Sequence, residues 1–147
     1  MAGARSDPFG AAVSRRPEHD EKATDMKLNH VNLTVSDVPA ASAFLETYLG
    51  LRSVGGNAGM AFVVDDDGSV ITLMKAGRAA EASYPANFHI GFFVGSESEV
   101  DALHRRLAEA GFEVTTPERH HGYTFYVKAP GGFTIELGGV DSGEPPA

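Results

Sequence analysis

The stretch "NFHIGFFV", Asn87–Val94, sets one histidine in an otherwise apolar run, and "LNHVNLTV", Leu28–Val35, sets another in the same place. Both read as strands with one covered face, because successive side chains of a strand point to opposite sides. A helix signal follows each. After the first, "DVPAASAFLETYLG" offers Asp37 as a cap and Pro39 in the first turn. Phe44, Leu45, Tyr48 and Leu49 form its apolar face, and Gly50 ends it. After the second, "SESE" is a capping box, and Val100, Leu103 and Leu107 continue a helix that stops at Gly111. Three strand-like segments then close each half. They are "LRSV", "MAFVVD" and "SVITLMK" in the first, and "FEVTTPE", "YTFYVKA" and "FTIELGG" in the second. The halves align to their ends, with "GSVITL" (68–73) over "GFTIEL" (132–137).

This repetition predicts an α+β fold of two tandem βαβββ modules, about residues 27–75 and 87–138. Together they form a cupped, partly open eight-stranded barrel with the helices outside, since neither half can bury its sheet face alone. The domain is expected over residues 26–139. A flexible tail at 1–25, rich in Gly, Pro, Ala and charge, precedes it, and a second tail at 140–147 follows.

Composition narrows the partners. A chain of 147 residues suits one domain, and a formal charge of −8 without any basic stretch excludes nucleic acid and anionic membrane surfaces as expected partners. The absence of cysteine removes disulfides, thiolate metal sites and cysteine nucleophiles. No apolar run approaches membrane-spanning length, and Arg15-Arg16 leads into "PEHDEKATD" instead of an apolar segment. A cytoplasmic protein is expected. Exposed sheet edges favour a homodimer, with the cup closed within one chain or shared between two.

Alternation also sorts the faces. Val31, Leu33 and Val35 share one side of the first strand, and His30, Asn32 and Thr34 the other. In the strand of the second half, Ile90, Phe92 and Val94 oppose His89, Gly91 and Phe93. In the last strand, Phe133, Ile135 and Leu137 oppose Thr134, Glu136 and Gly138. The aliphatic faces receive the helices, so the histidine faces look into whatever the two halves enclose, and the duplication is expected to bring His30, His89 and Glu136 to one site. Two neutral imidazoles and a carboxylate are the donor set of a facial triad, which leaves open positions on one divalent metal (Fe, Mn, Zn, Ni or Mg). Tyr126 and Lys128 share that side of their strand. Tyr126 is placed to donate a proton or hydrogen bond to a substrate oxygen, with His121 as a further catalytic candidate. Met60, Phe62, Val64, Val70 and Met74 with Phe93 supply an apolar wall, and Asn32, Phe62, Thr72, Phe93 and Lys128 are the expected substrate-pocket residues. Asp65, Asp66 and Asp67 read as a solvated hairpin tip.

With those residues in view, the chain resembles the vicinal oxygen chelate superfamily, which includes glyoxalase I, extradiol dioxygenases, fosfomycin-resistance transferases and bleomycin-resistance binding proteins. The likeness covers roughly residues 27–139, and "APGGFTIEL" (129–137) is similar to the family's turn into its glutamate-bearing last strand. The resemblance implies metal-ligand roles for His30, His89 and Glu136. Where glyoxalase I adds a further ligand this chain has Thr72, and His120 and His121 lie closer to Tyr126 than in the dioxygenases. A metal-dependent lyase, transferase or dioxygenase acting on a small oxygen-bearing molecule is the expected function. The alternative is a protein that sequesters a drug or metabolite without chemistry.

Overall fold

The computed structural model describes residues 25–77 and 82–140. The two expected tails, but for Asp25 and Val140, lie outside the described residues. In chain order the elements are β1 (His30–Val35), α1 (Val38–Leu49), β2 (Arg52–Gly56), β3 (Met60–Val64) and β4 (Val70–Lys75), then β5 (Ile90–Gly95), α2 (Glu97–Glu109), β6 (Glu118–Arg119), β7 (Tyr123–Ala129) and β8 (Phe133–Gly139). The strands form two four-stranded sheets, ordered β1-β4-β3-β2 and β5-β8-β7-β6. In each, the first strand runs parallel to the last, and the other pairs are antiparallel. The α+β class and the two tandem βαβββ modules are as the repeat predicted.

Local chemistry sets the helix ends. Asp37 Oδ1 accepts from the Ala40 amide at 3.0 Å, and a proline occupies the first turn of α1. Gly50 closes that helix at φ 69°, a left-handed conformation that costs other residues energy. At α2 the capping box is complete: Ser96 Oγ accepts from the Glu99 amide, and the Ser96 amide donates to Glu99 Oε2 at 2.7 Å. These hydrogen bonds, first to the Ser96 amide and then to its hydroxyl, hold the Glu99 carboxyl below its ordinary range.

One expected strand is mostly irregular. "FEVTTPE" contributes a bridge from Val114 to Val127 and, at its last residue Glu118, the start of β6. Pro117 explains this, because it has no amide hydrogen to give a ladder. The segment still lies along β7, with the Thr115 amide donating to the Tyr126 carbonyl at 2.9 Å and the Lys128 amide to the Glu113 carbonyl at 3.1 Å.

The cup stays open. Among the described residues no strand pairing joins one sheet to the other. Instead, the aliphatic faces of both sheets contribute to a single core, with Leu33, Val35, Val63 and Leu73 from the first and Phe125, Val127, Ile135 and Leu137 from the second. Phe112, just past α2, packs edge-on against Phe44 and Tyr48 of α1, with centroids at 4.9 and 5.3 Å. Gly131, in the β7–β8 turn, packs on Val35 and Ala41, and its carbonyl accepts from the Ser36 amide. The histidine-bearing faces lie opposite the aliphatic ones, and His30 lines a cavity that also touches Ile90, Gly91 and Phe92 of β5.

Candidate functional site

Register sets the open face of the second sheet as a grid. Gly91 on β5 and Tyr126 on β7 both stand opposite Glu136 on β8. Phe93 and Thr124 both stand opposite Gly138, and Lys128 stands opposite Thr134. His89 immediately precedes β5. Its Nε2 lies 3.1 Å from Glu136 Oε2, and its Nδ1 lies 3.1 Å from the Asn87 carbonyl oxygen. The His89 ring meets the Tyr126 ring at 84°, with centroids 5.3 Å apart.

The pair has a chemical requirement. A carbonyl oxygen only accepts, so Nδ1 carries a proton, and in neutral imidazole Nε2 then bears a lone pair. That lone pair faces a carboxylate oxygen, an arrangement that repels unless a cation joins it. The cation is either a second ring proton or a metal ion. The donors fit a metal: two atoms each about 2.1 Å from one ion, at a right angle, stand about 3 Å apart. The Asn87 carbonyl supplies the outer hydrogen bond that orients a metal-ligating histidine. His89 and Glu136 keep side-chain exposures of 38% and 29%, so the pair can be reached from outside.

His30 is not brought to them. It begins β1 on the open face of the first sheet, exposed, with Nδ1 2.7 Å from Asn29 Oδ1. Among the described residues no group of three or more His, Cys, Asp or Glu could hold a metal ion within one chain. The first sheet carries a matching grid: Asn32 and Phe62 both stand opposite Thr72, as Gly91 and Tyr126 do opposite Glu136. Thr72 is buried at 8% exposure, whereas Phe62 and Met74 are partly exposed, and Asn32 Nδ2 donates to Met74 Sδ at 2.8 Å. The expected pocket residues are thus divided, with Asn32, Phe62 and Thr72 on one face and Phe93 and Lys128 on the other.

A cavity of about 400 Å³ adjoins the pair, lined by Phe88, His89, Val114, Tyr126, Lys128 and Thr134 among others. Lys128 Nζ is 3.4 Å from Glu113 Oε1, and both side chains are largely exposed. Partial burial, and then the negative charge of Glu136, hold the Tyr126 hydroxyl above the usual tyrosine range, so it stays a proton donor at neutral pH. His120, which sequence alone did not favour, lines a cleft with Thr124 and Tyr126, and its Nε2 is 3.0 Å from Glu118 Oε2. His121 is exposed in the same turn and does not line that cleft. The three-aspartate stretch is a hairpin tip, with Asp65 Oδ1 accepting from the Ser69 amide at 2.8 Å.

Known proteins resemble this chain in sequence or in fold. Glutathione transferase FosA from Serratia marcescens is 28% identical over 111 residues, covering 75% of this chain and 78% of that protein. A solved structure of a possible glyoxalase from Bacillus cereus is 49% identical, covers 78% of this chain and 99% of its own, and superposes with a TM-score of 0.72. A mutant of the fosfomycin resistance protein FosX from Listeria monocytogenes, complexed with Mn(II) and 1S,2S-dihydroxypropylphosphonic acid, is 24% identical. It covers 78% of this chain and 93% of its own at a TM-score of 0.63, a likeness of fold. The family model matches residues 27–137, nearly the whole of both modules, and the chain belongs to the Glyoxalase/Bleomycin resistance protein/Dioxygenase superfamily.

Proposed function

We propose that the protein is a divalent-metal-dependent enzyme for a small oxygen-bearing substrate, working as a homodimer. His89 and Glu136 of one protomer and His30 of a second copy are the ligand set. The observation that carries this reading is the His89–Glu136 pair, whose Nε2 and Oε2 stand 3.1 Å apart with Nδ1 already committed to a carbonyl. Two features support the dimer. Among the described residues of one chain His30 does not join the pair in a three-ligand group, and Phe62, Met74 and Phe93 are left exposed. Membership of a family that includes a glutathione transferase supports catalysis.

When bound, the ion would supply Lewis-acid polarisation of a substrate oxygen. The chain's own groups do the rest. Asn87 fixes the His89 ring through its carbonyl. Tyr126 holds a proton at its hydroxyl, within the same cross-strand row as Glu136, for donation to substrate oxygen. Phe88 and Phe93 offer apolar surface to the substrate body, and Lys128 offers a cation at the cavity's edge.

The test is metal analysis of protein purified without chelator. About one divalent ion per chain is expected, lost in His89→Ala and in Glu136→Gln while the fold is retained. Full metal content in His89→Ala would overturn the proposal. Screening the loaded protein against catechols, hemithioacetals and epoxides with thiols then separates dioxygenase, lyase and transferase. Tight binding with no turnover under every metal would make the protein a sequestering one.

A further inference from the structure

Gly91 has no structural reason to be glycine. Its backbone is absent from the positive-φ glycines, so no left-handed conformation requires it. A Cβ built there meets only Glu136 atoms, the carbonyl oxygen and Oε2 at 3.9 Å and Cβ at 4.0 Å, which is ordinary contact. The duplicated module makes the same point, because Asn32 takes the equivalent place opposite Thr72 and carries its side chain over the sheet. Glycine in a strand interior forfeits both backbone entropy and packing. What it provides here is space. That space lies on the open face beside the Glu136 carboxylate, one residue pair along from His89, and the ring of Phe93 stands at its other end, 76% exposed.

Resting on the metal reading above, we propose that Gly91 is a specificity-determining position. Its missing side chain leaves a slot over β5 for the flat body of the substrate, with oxygens toward His89 and Glu136 and an apolar edge toward Phe93. Close approach of a ligand to the backbone is a recurring use of glycine within strands. A methyl at 91 makes ordinary contacts with Glu136, and a larger side chain narrows the slot, excluding a broad ligand while admitting a narrow one.

Gly91→Ala and Gly91→Val are compared with wild type by thermal melting, size exclusion and cobalt(II) titration read in the visible spectrum. Two oxygen chelators, the narrow acetohydroxamate and the flat, broader tropolone, are then titrated into the cobalt-loaded proteins. Melting temperatures equal to or above wild type, the same assembly and the same cobalt uptake are expected. Tropolone should bind about tenfold more weakly to Gly91→Val, the scale of steric overpacking, and acetohydroxamate as to wild type. Unchanged tropolone binding overturns this inference alone. Loss of assembly or of cobalt in the variants also overturns it, by giving the space to a second chain or to the ion itself. A wild type that takes up no cobalt overturns the metal reading and this inference together.

Discussion

Tyr123 and Tyr126 lie three residues apart on β7 and so face opposite ways, yet both hydroxyls resist ionisation. Tyr123 donates to Asp101 Oδ1 at 2.6 Å on the helix side, and that hydrogen bond, then burial and the nearby acids, raise its pKa. Tyr126 is raised by burial and by Glu136 on the open side. The sign follows directly. A folded pKa above the unfolded one means the native state keeps a proton that the unfolded chain has released, so stability is full below about pH 10 and falls as pH rises through the folded values. An alkaline absorbance titration should therefore show Tyr123 and Tyr126 ionising late, and Tyr126→Phe should reduce the late absorbance change. A late absorbance change left undiminished in Tyr126→Phe would show that the open face does not perturb this phenol.

At the scale of elements, α1 has no acidic residue within its first turn, so its N-terminus rests on the cap residue alone. The Asp37 side chain bonded to the Ala40 amide is its cap. Asp37→Ala should cost about 1 kcal/mol in a urea denaturation, with the slope unchanged. A loss near zero would mean that packing of Phe44 and Leu45 holds the helix end without help. The same scale shows where periodicity misleads: "FEVTTPE" alternates like its neighbours, but Pro117 withholds an amide, and between the Val114–Val127 bridge and β6 the pairing is interrupted.

For the whole molecule, the shared core decides how the open faces lie. The composite site proposed above, with His30 from one copy and the His89–Glu136 pair from another, requires two copies of the chain. A mixing experiment tests this. If the proposed sites are composite, a dimer of one His30→Ala and one His89→Ala chain holds one intact site and one doubly damaged site. Equal amounts unfolded and refolded together should recover about a quarter of the wild-type metal, since about half the dimers are mixed and each regains one of two sites. Recovery of none, with wild type binding normally, would place all ligands of each site in one chain.

The order of elements, the helix caps and the side of the sheet on which His30, His89, Glu136, Tyr126 and Lys128 stand were legible in the sequence, because strand alternation and capping chemistry are local and the duplication states them twice. So was the family, carried by "APGGFTIEL" and the paired histidines. The tertiary structure alone decided which residues share a site. Alternation assigns a side chain to a face but not a face to its neighbour, so His89 and Glu136 could be joined only by the β5–β8 register, and that His30 does not join them within one chain is a fact of the tertiary structure. The preference of Tyr126's cleft for His120 over His121 is likewise a matter of turn geometry. The surplus of space at Gly91 emerged only from distances, because in sequence a strand glycine reads the same whether a backbone, a packed side chain or an incoming ligand requires it.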